Sequence, residues 1–247
     1  VNILRNEQAY SNGGGVFSLQ IHRPGLIDGI FEKEDHAFGP LSRIDHAKIG
    51  KGTMIRMHEH INDEILSYMW QGEMLHEDSS GLKETCSSTK LMIMGAGRSF
   101  FHEESTPTGP VEMLQVFIRP SEKDFEPRVQ FAEMKLPEVS DWRLIAGPTE
   151  AKAPLEIRQQ IIVYDVHGKI DEAFTLPIVA GYTPWLYVMD GEIMAHGESL
   201  YKGDAISGTA EELTTIQITK DSTVVLFLVD LKAPMTLAGN FSGVKRF

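Results

Sequence analysis

Short runs of β-branched, aromatic and Met residues, each bounded by Gly or Pro, recur along the whole chain. Residues 16–21, 64–70, 90–94 and 111–118 read as strands in the first half, and residues 160–164, 185–189, 214–219 and 223–231 in the second. Gln71-Gly72 and Ser80-Gly81 punctuate them as turns, and Asp190-Gly191-Glu192 reads as a hairpin turn. Residues 129–134 read as a short helix within residues 120–154, a charged and proline-punctuated stretch that is the expected linker. Strands with turns of this kind favour a sandwich or barrel over a parallel sheet covered by helices.

The two halves echo one another. Residues 65–74 run as an apolar strand into Gln71-Gly72-Glu73-Met74, and residues 185–194 run as an apolar strand into Asp190-Gly191-Glu192-Ile193. A repeat of this form suggests two copies of one β-unit. The expected fold class is therefore all-β, two jelly-roll barrels with few short helices, and 247 residues suffice for one in each half.

Composition sets limits on partners. A formal net charge of −12 argues against direct nucleic-acid binding, which needs a basic surface, and against anionic membranes. No stretch approaches the apolar length of a membrane span. The first residues lack the basic-then-apolar pattern of a secretory signal, and the single Cys86 fits a reducing compartment, so a cytoplasmic location is expected. A protein partner stays open, because net charge says little about a local patch.

Within that frame stand two couplets, His58-Glu59-His60 and His102-Glu103-Glu104, with Glu64 four residues beyond His60. On a strand, positions i and i+2 share a face. His58 and His60 then point one way on one strand, and His102 and Glu104 one way on another. Bringing the strands together converges three imidazoles and a carboxylate. Glu64 and Glu104 are both in phase, while Glu59 and Glu103 face oppositely, so the choice of carboxylate is open at this level. Imidazole with carboxylate suits Fe, Mn, Ni, Cu or Zn rather than Ca or Mg. Four protein ligands on a six-coordinate ion leave positions for water, substrate or oxygen.

These segments resemble the two cupin motifs, and more closely the pirin branch of that superfamily. The pirin pattern of His-Pro-His, Glu four residues on, a glycine turn and His-Arg-Asp-Ser-x-Gly is matched by His58-Glu59-His60, Glu64, Gln71-Gly72-Glu73 and His76-Glu77-Asp78-Ser79-Ser80-Gly81. The second pattern, Met-Thr-Ala-Gly-Arg-Gly-Ile-Val-His-Ser-Glu, is matched by residues 94–104, ending His102-Glu103-Glu104. Ile61-Asn62-Asp63 replaces the usual Arg-Gly-Phe, and Met92-Ile93 the usual Gln-Trp, so the pocket lining departs from the pattern.

The resemblance implies one divalent transition metal, iron foremost and Zn, Mn, Ni or Cu as alternatives, held by His58, His60, His102 and Glu104. Glu64 is then a supporting residue or alternate ligand. It implies a metal-binding cupin in residues 1–135 and a cupin without metal in residues 136–247, where His196 is the only histidine near Gly191. Two activities follow from the family. One is ring-cleaving dioxygenation of a flavonol (quercetinase-type), a small aromatic substrate, with Glu104, or Glu64 if unbound, as general base. The other is a metal-dependent regulatory partner of other proteins without turnover. A zinc-type cupin isomerase or a plain metal-binding protein is a third reading. His76 reads as turn-stabilising, and His22, His36, His46, His167 and His196 as isolated structural or exposed residues. Cys86 has no partner base and is not expected to be a nucleophile.

Overall fold

The computed structural model describes residues 1–135 and 141–244. The described residues are nearly all β, in an eleven-stranded and a nine-stranded sheet that form two curled jelly-roll units, as the strand pattern predicts. Helical structure is confined to short 3-10 turns such as Pro24–Asp28.

The first sheet holds the strands from Tyr10–Gly14 to Arg128–Glu133. Its central strand, Val111–Ile118, pairs with Leu41–Ile49 on one side and Glu64–Gln71 on the other. Leu41–Ile49 lacks the alternation of a half-buried strand because one face lines the barrel and the other packs on the second cupin. Its buried polar groups are paired, Arg43 with Asp45 at 2.5 Å and His46 with Tyr187 at 2.8 Å.

The second sheet is built on the long ribbon of Thr183–Ala195 against Thr215–Val229. It also takes in Asn2–Leu4, which pairs with Ala205–Ser207. The chain thus starts on the second sheet before crossing to build the first. Polar contacts lock the units together. Tyr68 Oη donates to the fully buried Asp165 at 2.7 Å, and Arg143 holds that carboxylate through two nitrogens. Trp185 Nε1 donates to the Pro24 carbonyl at 3.2 Å.

Four local expectations are corrected. Residues 129–134 are not helical: Arg128–Glu133 is a strand paired along Lys90–Gly95. That strand's other edge is taken by Glu64–Gln71, so the added strand closes an edge otherwise left open. Residues 120–154 are accordingly no plain linker, since they supply this strand and Arg143–Gly147. Asp190-Gly191-Glu192 is not a hairpin turn but a bulge within Thr183–Ala195, and residues 214–231 carry one strand, Thr215–Val229, rather than two. Gly191 has φ +90°, and a Cβ there would lie 2.3 Å from the Asp221 carbonyl, so the bulge admits only glycine. The hairpin instead turns at His196-Gly197, both at positive φ.

The echo between the halves has a structural basis. Gly72, at φ +82°, bends the chain between Glu64–Gln71 and Glu73–Asp78, with its missing Cβ directed at the Pro110 carbonyl. Glu73–Asp78 then pairs with Phe100–Ser105, which in turn pairs with the edge strand Met54–His60. That three-stranded corner carries the site.

Candidate metal centre

Strand register brings the donors together. His102 lies directly opposite His58 on Met54–His60, and Phe100 opposite His60. Directly opposite residues share a face, so the three imidazoles converge. Their ring centroids are 4.6 Å apart for His58–His102, 4.9 Å for His58–His60 and 5.1 Å for His60–His102. One ring nitrogen from each lies within 4.8 Å of the others. His58 is half-buried, while His60 and His102 are buried, so the trio runs from the surface inward.

Hydrogen bonds fix which nitrogens face the centre. His58 Nδ1 lies 2.8 Å from the Arg56 carbonyl, and His60 Nδ1 lies 3.2 Å from Oδ2 of Asp63. Both partners accept only, so Nδ1 carries the proton and Nε2 keeps its lone pair. His102 Nε2 is buried with no hydrogen-bond partner. Burial lowers the pKa of His58, against the bond to Arg56. Burial and then the neighbouring His60, His58 and His76 hold His102 down at about 2. Neutral imidazoles with free lone pairs are what a transition metal requires.

Glu104 is buried on the same strand, with Oε2 accepting from Gln115 at 2.8 Å and Oε1 unpartnered. Burial raises its carboxyl to about 7, against the Gln115 bond. The register slips by one residue between His102 and Glu104, and Glu104 stands opposite His76 on Glu73–Asp78. His76, His102 and Glu104 form a second donor group with atoms within 4.8 Å of one another. The turn-stabilising reading of His76 is thus replaced: its ring is fully buried and points inward, while Asp78 holds the turn by accepting from Ser80 and Leu82. Sequence spacing missed His76 because its partner lies across the sheet rather than along the strand.

Glu64 is placed elsewhere. Its buried carboxylate accepts from the Arg158 backbone N–H at 2.9 Å and from Arg158 Nε at 3.4 Å, with Arg128 at 4.0 Å. Burial pushes its carboxyl up, and the two guanidinium groups oppose that. Cys86 is buried and its thiol is pushed up to about 12, first by burial and then by the charge of Glu104, which leaves it inert as a nucleophile.

Two further residues were missed in the sequence. Asp63, read only as a departure from the family pattern, orients His60. It also accepts the backbone N–H groups of Phe241 and Ser242, at 3.2 and 2.8 Å, tying the C-terminal segment to the site. Phe241 packs on His60 at 4.6 Å between centroids and stacks on Phe117 at 5.6 Å. Phe100 flanks His102 at 6.3 Å. The surroundings of the trio are therefore aromatic.

Among the described residues, all the donor groups suited to an ion lie in the first unit. No described helix is long and apolar enough to cross a membrane.

Comparison with known proteins agrees with this architecture. Residues 28–118 match the family described as Pirin, and residues 144–230 match the Quercetinase C-terminal cupin domain. The chain is 26% identical over 224 residues to Quercetin 2,3-dioxygenase of Escherichia coli K12, covering 90% of this chain and 95% of that protein. It is 27% identical over 143 residues to Pirin-1 of Arabidopsis thaliana, covering 55% of this chain and 50% of that one. Among solved structures, YhhW from Escherichia coli superposes with a TM-score of 0.79 at 24% identity, over 92% of this chain and 96% of that one. The same bacterial pirin in complex with nickel(II) gives a TM-score of 0.78 at 24% identity, over 92% and 97% of the two chains. With both halves matched in order and the histidine couplets in place, the chain belongs to the pirin family of the cupin superfamily.

Proposed function

We propose that this chain is a metal-dependent dioxygenase that opens the ring of a flavonol-type substrate. The observation that carries the reading is the convergence of three imidazoles, two of them with Nε2 freed by Nδ1–H bonds, at a half-buried position walled by Phe100, Phe117 and Phe241. The name of the Escherichia coli relative, aligned along most of both chains, supports it.

His58, His60 and His102 would hold the ion, iron being the metal we expect first, with Glu104, the fourth ligand that the resemblance implies, grouped with His102 and His76 rather than with His58 and His60. When bound it supplies Lewis-acid polarisation of a chelating oxygen pair and a path for electrons to dioxygen. His58, the donor nearest solvent, marks the side from which substrate enters. Phe241 and Phe100 offer ring faces and edges to an aromatic substrate. Glu104 accepts the substrate hydroxyl proton at Oε1, which has no other partner. With its carboxyl raised to about 7, it is a stronger base than an exposed carboxylate. We give this role to Glu104 rather than Glu64, whose oxygens are engaged by Arg158.

The test is oxygen uptake with quercetin on protein loaded separately with iron, copper, manganese or nickel, with His58→Ala as control. Uptake matched by loss of flavonol absorbance, and lost in the variant, is expected. No uptake with any metal would sink the dioxygenase reading and leave the regulatory one, for which metal-dependent retention of a protein partner is the measurement.

A further inference from the structure

The C-terminal residues that wall the trio are also tied to a buried cation. We propose that Arg119 is a positioning residue, a strut that links the seating of Phe241 on His60 to the surface carboxylate of Asp35. The inference rests on the metal-binding reading of the trio for its effect on an ion, but not on flavonol oxidation.

Arg119 follows directly on the central strand Val111–Ile118 and is buried. Its guanidinium is divided between two partners. Nη1 and Nη2 donate to Asp35 at 2.7 and 2.8 Å, and Nε donates to the Ser242 carbonyl at 2.7 Å. The group is a rigid plane, so gripping its Nη edge aims Nε. Asp35 is the half-exposed end of the pair, and the hydrogen bond from Arg119 holds its carboxyl below the ordinary value, so both partners are charged at neutral pH. Arg23 feels Arg43, Asp45, Arg119 and Asp35 together, a group of three guanidiniums and two carboxylates. Loss of the Asp35 charge therefore leaves an excess of buried positive charge that Arg119 relieves by moving.

Both ends of the C-terminal segment are tied beside Arg119. The Thr236 N–H donates to the Pro120 carbonyl at 2.9 Å, and Gln159 Nε2 donates to the carbonyls of Arg119 and Pro234 at 2.7 and 3.0 Å. Residues 234–242 thus form a loop with neighbouring ends. Its middle reaches the strand Met54–His60: Asn240 Oδ1 accepts from the Ile61 N–H and Asn240 Nδ2 donates to the Glu59 carbonyl, both at 3.0 Å. Asp63 takes the N–H groups of Phe241 and Ser242, and Arg119 takes the carbonyl that follows. Ser42 Oγ shares that carbonyl at 2.7 Å, so without Arg119 it keeps one partner of two. The loop end beside Phe241 then loosens, and with it the ring that lies 4.6 Å from His60.

Amide exchange of the metal-free full chain, read by NMR, tests the strut without turnover. Asp35→Asn removes the charge and keeps the shape. It is expected to speed exchange at Phe241 and Ser242 about 10-fold and leave Val111–Ile118 unchanged. Arg119→Lys, a point charge that cannot span both partners, should do the same. Nickel(II), titrated by calorimetry, should bind Asp35→Asn about 10-fold more weakly than wild type. That loss should vanish when Asp35→Asn is made in Phe241→Ala, because both act through one ring. Unchanged exchange at Phe241 and Ser242 overturns the strut. So does exchange raised equally along Val111–Ile118, which general destabilisation would give. Nickel affinity left unchanged by Asp35→Asn, or an effect that persists in Phe241→Ala, overturns its route to the ion. If wild type binds no nickel, the metal reading of the site falls, and the exchange result alone decides the strut. Should Arg119→Lys not fold, the surface variant Asp35→Asn carries the test.

Discussion

Asp63 Oδ2 lies 3.2 Å from His60 Nδ1, and the same carboxylate accepts the backbone N–H groups of Phe241 and Ser242. One buried group thus sets the tautomer of a metal-facing imidazole and anchors the C-terminal segment that walls it. Geometry at the centre is in this way coupled to a part of the chain some 180 residues away.

Asp63→Asn should therefore weaken nickel(II) binding about 10- to 100-fold by loosening His60. Asp63→Ala leaves His60 and two backbone donors without their acceptor, and should cost about 2–4 kcal/mol in addition. Calorimetric titration reads the first effect and urea unfolding of the metal-free protein the second.

Acid sensitivity should trace to Glu112 at the contact between the cupins. Burial alone would raise its pKa, but hydrogen bonds from His46 and Lys202, each 2.7 Å, hold it down at about 2, below the ordinary 4.5. Because the folded value is depressed, the stabilisation is complete above the unfolded pKa and is lost as pH falls toward 2. Allowing for partial solvent screening, Glu112→Gln should cost on the order of 1–2 kcal/mol at pH 7. The difference from wild type should close between about pH 4.5 and 2, as followed by denaturant melts across that range.

Gly72 and Gly191 should tolerate no side chain. Alanine at either position meets a backbone carbonyl at 2.2–2.3 Å and holds a positive φ. Each substitution should cost about 2–4 kcal/mol. Gly52, also at positive φ but with open space around it, should cost less when changed to alanine, and thermal melting of the three variants checks the order.

What the sequence made legible was whatever is local. The i, i+2 couplets placed His58, His60, His102 and Glu104 on inward faces, and the Gly-Glu echo marked the repeated bend at Gly72 and Gly191. What it hid was set by pairing. His76 meets the site only because Glu104 stands opposite it across two strands. Asp63 gains its meaning from His60 and from a C-terminal segment distant in the chain. Gly191 looked like a turn because a glycine at positive φ serves a bulge and a hairpin alike. Residues 129–134 form a strand because an open edge was waiting for them. The polar Leu41–Ile49 strand is not legible as a strand because its buried polar groups find partners that a hydrophobicity pattern does not reveal.

His102 is the donor on which metal binding by the described residues should depend, since both of their donor groups contain it. Mass-spectrometric metal content of nickel-reconstituted, dialysed wild type and His102→Ala tests it directly. One ion per chain is expected in wild type and none in His102→Ala, with both metal-free proteins folded. An ion retained by His102→Ala, or none in wild type, would contradict it.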